Sequence, residues 1–535
     1  MADVSQRLAE LSWQKRELVE EVLRREGVDP WTLPIRPRAP GRRDLPLAYT
    51  QESLWFMCQL AANNGVYNLP AAVQLQGPLR RAVLEQALRE IVRRHEILRT
   101  RFPVVAGRPV QEVLGAVEVQ LTFQDCCHLP ENERRHHALG LATQEAARPF
   151  DLAERPPWRM SLYALGPEDH LLLVAFHHLV WDGWSVGVWM RELAVLYQAF
   201  SNGQPSPLPE LPIQYADYAI FEREWLSGER VAAQMDYWRR QLRGLEPLAL
   251  TLDRPRSARP TFTGGSEAAF VPPEVGVALD ELCRRTGVTP YMAMLAVFQV
   301  VLHRYTGCER VAVGTPIAGR RRRELEGLLG TLANIVVMAT DLSGDPVFLE
   351  LLARVREVTT GAYAHQDVPF EMLVDKLQVE RNASSNPLFQ VMFALHQEKL
   401  AAIELPGLRA MPVELGPAYS HFDLGLHFWR HEDGFAGFVS YNSDLFEPST
   451  IRRLIGHFQV LLAEAVRAPE RRISSLPLLT QEEQRWVAER SALSRCSPSH
   501  PVETRSLQLV PRTSLGLWPA CVETPKSATG NWPHG

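Results

Sequence analysis

Six consecutive apolar residues, Leu171 to Phe176, run directly into two adjacent histidines, His177 and His178, and then into a helical pattern. An unbroken apolar run of strand length predicts a strand covered on both faces, as in the middle of a layered α/β structure. Downstream, Val188, Leu193, Val195, Leu196 and Phe200 recur at helical spacing, and Ser185 is predicted to open that helix as its cap. The histidines and Asp182 therefore fall on a short loop between a buried strand and a helix.

Two histidines at a strand end are unusual, because imidazole is polar and costs free energy to bury unpaired. Successive side chains point opposite ways, so one ring can face a cleft while the other packs. Asp182 is predicted to fix the loop by pairing with a cation or backbone donors. Gly183 is predicted to allow a tight turn or the close approach of a ligand. Imidazole suits proton transfer near neutral pH. An isolated H-x-x-x-D is ordinarily a satisfied structural pair; the doubled histidine, the glycine and the strand–loop–helix setting favour a functional loop. No third ligand or H-E-x-x-H pattern supports a metal.

The wider chain is an α/β sequence in two halves of similar size. Of 535 residues, 46% are apolar and 22% charged, and the net charge of -5 supplies no basic field for nucleic acid or anionic membrane. Seven scattered cysteines without a C-x-x-C pair indicate neither a disulfide framework nor a zinc site. The N-terminus has no apolar signal core, and no apolar run reaches the ~18 residues of a membrane span. A cytoplasmic, reducing location is the expectation. Residues 2–27 read as an amphipathic helix, for packing or for docking an upstream protein, followed by an extended Pro/Arg linker over 30–43. Helices are predicted over Arg80 to Phe102, Val277 to Thr286, Tyr291 to Tyr305 and Ser449 to Val466. Strands are predicted near Arg310 to Pro316, Phe389 to Leu395, Phe422 to Phe428 and Phe435 to Tyr441. The last stretch, 486–535 and above all beyond Cys496, reads as a disordered or aberrant tail.

The span His177 to Gly183 resembles the H-H-x-x-x-D-G motif of condensation domains in nonribosomal peptide synthetases. Six further stretches resemble that family's motifs in the family's order. They are Thr50 to Trp55 with Gln59 and Leu60; Arg94 to Phe102; Tyr215 to Ala219; Gly314 to Arg320 with Glu324, Gly330 and Asn334; His365 to Glu371; and Arg381 to Leu388. The similarity covers about residues 45–485. Ser53 and Ser385 replace usual arginines, and Leu332-Ala333 stands where Phe-Val is common.

The resemblance implies an α/β fold of two chloramphenicol acetyltransferase-like lobes, 45–212 and 213–485, arranged as a V around a central tunnel, with 1–44 as N-terminal helix and linker. It implies an acyltransferase joining a donor aminoacyl or peptidyl thioester to an acceptor aminoacyl thioester. Both substrates would ride on phosphopantetheine arms of upstream and downstream peptidyl carrier proteins, with an adenylation domain nearby and no metal or cofactor held by the domain itself. His178 would be the catalytic residue, taking the amine proton or orienting the amine. His177 would pack behind it, supported by Asp182, Gly183 and Arg320, with Asp182 and Arg320 as an ion pair. Trp184, Ser185 and Asn334 are candidates for the tunnel wall. Asp182 to Ser185 followed by Arg191-Glu192-Leu193 resembles the subtype with an L-configured donor. A stand-alone coenzyme A-dependent acyltransferase of the same fold and a non-catalytic truncated remnant are the alternatives.

Overall fold

The computed structural model describes residues 11, 13–26, 33–60, 65–257, 261–378, 386–396, 403–405, 407–413, 415, 419–432 and 434–495. Residues 381–385 of the last motif and the tail 496–535 lie outside the described residues. Met1–Thr480 forms one compact unit and Gln481–Gly535 a second. The apolar run becomes the inner part of a strand in a six-stranded sheet. In order, its strands are β13 (Ile403–Leu405), β14 (Leu408–Val413), β2 (Asn68–Gln76), β8 (Asp169–His177), β7 (Trp158–Gly166) and β6 (Leu121–Asp125). β6 and β7 are parallel and the other pairs antiparallel. Leu171 and Leu173 meet the small residues Ala138, Ala142 and Ala146 of helix Glu131–Ala147. Leu172, Val174 and Phe176 point the other way, into a core with Leu84, Leu88 and Ile91 of helix Arg81–Arg94 and Leu193 and Leu196 of helix Gly183–Ser201. Both faces of β8 are covered from Leu171 to Phe176, which is why no polar residue interrupts that run.

A second six-stranded sheet runs β11 (Asn334–Asp341), β10 (Arg310–Ile317), β12 (Val391–His396), β15 (Leu424–His431), β16 (Gly434–Asn442) and β9 (Gly264–Val271). β12 pairs parallel with β10 and β15; the remaining pairs are antiparallel. Its core is centred on helix Pro290–Thr306, which is buried from Ala293 through Leu302. Thr289 caps that helix and Gly307 ends it in the left-handed conformation at φ 73°. A smaller four-stranded sheet pairs β5 (Arg108–Val113) with β1 (Leu45–Pro46), β3 (Thr100–Arg101) and β4 (Val104–Val105). Among the described residues no single helix is long and apolar enough to cross a membrane.

Several elements differ from their sequence reading. β14 pairs with β2, from Arg409↔Gln76 to Val413↔Ala72, so strands from the second half complete the first half's sheet. Tyr215, Leu325, Leu329 and Leu332 also belong to the first core, so a cut at residue 212 does not separate the two cores. Periodicity reports that a segment is buried but not against which core. The helix expected from Arg80 to Phe102 stops at Arg94, and a 3-10 turn over Glu96–Arg99 and the short β3 follow. Arg94 and His95 are both drawn onto Glu192, at 2.9 Å each, which holds His95 extended at ψ 106°. Gln481–Arg495 is helical, so the expected disordered tail does not begin at 486. The linker does run extended. Arg38 pins it with ion pairs to Asp217 at 2.9 Å and Glu96 at 2.6 Å, and Ile35 N–H donates to Glu324. In helix Trp13–Arg25 the apolar side chains Leu18 and Val22 stay 69% and 56% exposed, so they do not form a packed stripe.

The two halves meet at Asp182. Its carboxylate binds Arg320 through both oxygens, at 2.7 and 3.0 Å, with both side chains 1% exposed. Oδ1 also accepts from Ser185 N–H and Oγ at 2.9 and 2.8 Å, and Oδ2 from the backbone N–H groups of Leu332 and Ala333 at 3.1 and 3.2 Å. Gly319 permits this approach: its φ is +68° and a Cβ would lie 1.8 Å from the Leu332 carbonyl oxygen. A buried carboxylate that loses its cation, or a buried guanidinium that loses its anion, is strongly destabilising. Asp182→Ala and Arg320→Ala should each lower the unfolding free energy by about 3–5 kcal/mol. Chemical denaturation of both single variants and the double variant should show a double loss far below the sum. Additive losses would dismiss the pair as a coupled unit.

Candidate active site

β8 ends at His177, and the chain turns back on itself at once. Trp181 lies flat on Phe176, with ring centroids 3.8 Å apart and an interplanar angle of 2°. Val180 N–H donates to the His177 carbonyl at 3.0 Å, and His178 N–H donates to the Tyr67 carbonyl at 2.9 Å. The loop's carbonyls are held as well. Gln51 Nε2 donates to Leu179 O at 2.8 Å, and Thr331 Oγ1 donates to the carbonyls of both His178 and Trp181. Asp182 then caps the helix: its side chain accepts from Ser185 N–H in a capping box. The cap is Asp182 rather than Ser185, which sits one turn in. A carboxylate at the position directly before the helix is well placed to accept from the N–H three residues on, and its charge suits the positive end of the helix.

The two histidines occupy opposite environments. His177 is buried. Its Nδ1 accepts the Leu179 N–H at 3.1 Å, so the ring proton sits on Nε2 and is offered to Cys58 Sγ at 3.3 Å. Burial, with the neighbouring His178, pushes the His177 pKa down to about 3, and burial pushes the Cys58 thiol up to about 12. Both groups are neutral. His178 is half-buried, and its Nδ1 lies 2.8 Å from the Trp181 carbonyl oxygen. A carbonyl only accepts, so Nδ1 carries the proton and Nε2 presents its lone pair. No described residue bonds Nε2, and it is not sealed from solvent.

The remaining predicted residues divide between structure and surface. Ser185 is wholly buried and shares its hydroxyl between Asp182 and the Gly330 backbone, so it joins the ion-pair network and does not line a passage. Asn334 is likewise a brace: its amide donates to the carbonyls of Gln366 and Val368 and its oxygen accepts from Phe370 N–H. Trp184 is 39% exposed, donates Nε1–H to the Glu326 carbonyl and stands by the Arg320 guanidinium. Gly183 has an ordinary φ, and a Cβ there would meet nothing within 4 Å. The turn does not require glycine, and the space before it is open. Leu332 and Ala333 contact Asp182 through backbone N–H groups, which explains why the unusual side chains there are tolerated. Ser53 lines a cleft of about 890 Å³ with Phe56, Met57, Glu371 and Lys376, away from the histidine loop. Beside Arg320, Arg321 pairs with Asp367, whereas Arg322 reaches the Leu33 carbonyl and lies over Phe221.

Sequence reasoning missed Gln51, Cys58, Tyr67, Thr331 and His421. Gln51 and Thr331 stand in or beside recognised motifs, but their backbone targets arise only on folding. His421 has no motif around it to single it out. Its ring stacks on Tyr67 at 4.8 Å and 16°. The residue is exposed, yet surrounding protein dehydrates its ring and, with His178 nearby, pushes its pKa down to about 4. Among the described residues no group of three or more His, Cys, Asp or Glu side chains could hold a metal ion.

A buried neutral histidine couples stability to pH. The unfolded ring takes a proton near pH 6.5, whereas folded His177 refuses it until about pH 3. Between those values the unfolded chain binds more protons, so stability is complete above about pH 6.5 and falls as the pH drops. Each such ring adds a slope of about 1.4 kcal/mol per pH unit. His177→Asn retains an acceptor for Leu179 N–H but cannot titrate. Denaturant unfolding between pH 4.5 and 6.5 should give a shallower slope for this variant; equal slopes would place a charged ring in the fold.

Comparison with known proteins places this geometry. The condensation-domain family model matches residues 42–487. The chain is 45% identical over 469 residues to a linear gramicidin synthase protein of Brevibacillus parabrevis, covering 86% of the chain and 9% of that protein. It is 40% identical over 508 residues to the phosphinothricin tripeptide synthetase of Streptomyces viridochromogenes, covering 94% of the chain and 46% of that protein. The chain thus spans less than half the length of these relatives. Among solved structures, the X-domain from teicoplanin biosynthesis is similar at TM-score 0.77 and 32% identity, over 83% of this chain and 100% of that one. The first condensation domain of the calcium-dependent antibiotic synthetase is similar at TM-score 0.68 over 82% of this chain and 100% of that one; at 21% identity this likeness speaks of the fold alone. With the histidine loop, its ion pair and a family model spanning most of its length, the chain belongs to the condensation domains of nonribosomal peptide synthetases.

Proposed function

We propose that the domain forms an amide bond between a donor aminoacyl or peptidyl thioester and an acceptor aminoacyl thioester, both carried on phosphopantetheine arms of carrier proteins. The observation that carries this reading is the tautomer of His178, with Nδ1–H held by the Trp181 carbonyl and Nε2 left open. A lone pair so presented can take a proton from an attacking amine. The acceptor nitrogen attacks the thioester carbon, the C–S electron pair leaves on sulfur, and the amine proton passes through His178 to the thiolate. Because a thioester has a good leaving group, holding both reactants together supplies much of the rate. In this reading two lobes form a V around a tunnel, which admits one carrier arm from each side. Asp182 and Arg320 keep the histidine loop in register with the second half. Asp182 to Ser185 and Arg191 to Leu193 support an L-configured donor. The lengths of the relatives support partner carrier and adenylation domains; in this reading the assembly is cytoplasmic and the domain itself holds no metal or redox cofactor.

The test is single-turnover condensation between donor and acceptor carrier proteins charged with a panel of L-amino acids, with the dipeptidyl thioester read by mass spectrometry. His178→Ala should lower the rate by about 10²-fold or more, the scale of a positioned proton-transfer group, and barely change the melting temperature. His177→Ala should do the reverse, losing stability with the Cys58 and Leu179 contacts. Wild-type rates in His178→Ala would leave catalysis to positioning alone. Product from free acyl-coenzyme A without carriers would favour the stand-alone acyltransferase, and no product under any condition the non-catalytic remnant.

A further inference from the structure

His421 is a second imidazole beside the histidine loop, and the proposed proton path assigns it nothing. It belongs to the second half, just ahead of β15, whereas His178 comes from the first. Tyr67 joins them: its carbonyl accepts the His178 N–H at 2.9 Å, and its ring stacks on His421. A hydrogen bond to the Val66 backbone anchors the His421 ring, and Phe262 flanks it at 6.2 Å. The residue is exposed, but its ring is dehydrated by the protein around it. That combination describes a group on the wall of a narrow interior passage, in contrast to a surface histidine, which is hydrated, or a core histidine, which is sealed. A nitrogen that donates to the Val66 carbonyl leaves the other nitrogen of a neutral ring as an acceptor.

We propose that His421 positions the acceptor's amino group by accepting one N–H while His178 Nε2 accepts the other. The inference rests on the condensation reading and adds a residue to it. A neutral amine carries two N–H protons. As the C–N bond forms and the C–S bond breaks, one proton leaves through His178 to the thiolate and the other stays on the product amide nitrogen. With one acceptor for each proton, the nitrogen lone pair points away from both rings, toward the donor thioester carbon. The low basicity of His421 suits this role, because an uncharged ring accepts a hydrogen bond and does not repel a proton arriving on His178.

Four variants test this in the carrier-to-carrier assay, at saturating acceptor carrier and alongside melting curves. His421→Phe keeps a ring on Tyr67 but cannot accept a hydrogen bond. It should melt as wild type does and lose about tenfold in single-turnover rate, the scale of one well-placed hydrogen bond. His421→Asn and His421→Gln place a carbonyl oxygen near the Nδ1 and Nε2 positions, and one of them should recover most of that loss. His421→Ala should be no faster than His421→Phe. The pH–rate profile of His421→Phe should keep its shape with a lower plateau. A wild-type rate in His421→Phe, or no recovery in either amide variant, would overturn the inference while leaving the condensation reading intact. A displaced profile with an unchanged plateau would overturn it too, since His421 would then act on the charge of His178. Absence of product from the wild-type domain would overturn both.

Discussion

The carboxylate of Asp182 is the point on which the described architecture turns. It accepts from six donors: two on Arg320, two on Ser185 and the backbone N–H groups of Leu332 and Ala333. A buried charge is tolerable only when its lone pairs are filled and a counter-ion lies close. Each donor therefore also locates the element that carries it. Ser185 lies in the first turn of helix Gly183–Ser201, Arg320 closes the turn after β10, and Leu332 and Ala333 lead into β11. Thr331, adjacent to those two amides, reaches back to the carbonyls of His178 and Trp181. The position of the His178 ring thus depends on a charge pair four residues away in sequence and on a segment about 150 residues distant.

Most of the motif residues support that centre and take no chemical part themselves. Arg94 and His95 hold Glu192, on the helix that Asp182 caps. Burial alone would raise the Glu192 pKa, but its bonds to His95 and Arg94 prevail and hold it low. Gln51 holds the Leu179 carbonyl, Asn334 the loop before Phe370, and Asp217 the Arg38 of the linker. Such bonds are individually modest, at about 1 kcal/mol each. In a buried network each missing partner leaves an unsatisfied polar group, and that cost is larger. This accounts for the spread of the motifs along the whole chain: they are the separate ends of contacts that close only in three dimensions.

Much of the secondary structure was legible from periodicity. β8, helix Gly183–Ser201, helix Pro290–Thr306 and helix Pro448–Arg467 lie within a few residues of their expected bounds, because each has a long uniform environment. Failures occurred where a side chain answered to a distant partner. His95 breaks a helix because Glu192 is there to receive it. Ser185 yields the cap to Asp182. Asn334 and Ser185 are drawn into bracing bonds, although both were candidates for a passage wall. The second half sends β13 and β14 to the first half's sheet, since an apolar strand edge does not specify its partner.

By itself the sequence determined a strand–loop–helix over 171–200, the opposed directions of His177 and His178, and the need of Asp182 for a cation or backbone donors. These follow from short-range geometry and from the cost of burying charge. Only the tertiary structure decided which further donors converge on Asp182 beside Arg320, which nitrogen of each histidine carries its proton, and that His421 stands beside the loop through Tyr67. Tautomers and proximities depend on which carbonyls and rings the fold brings within about 3–5 Å, and residues hundreds of positions apart carry no local signal of that meeting.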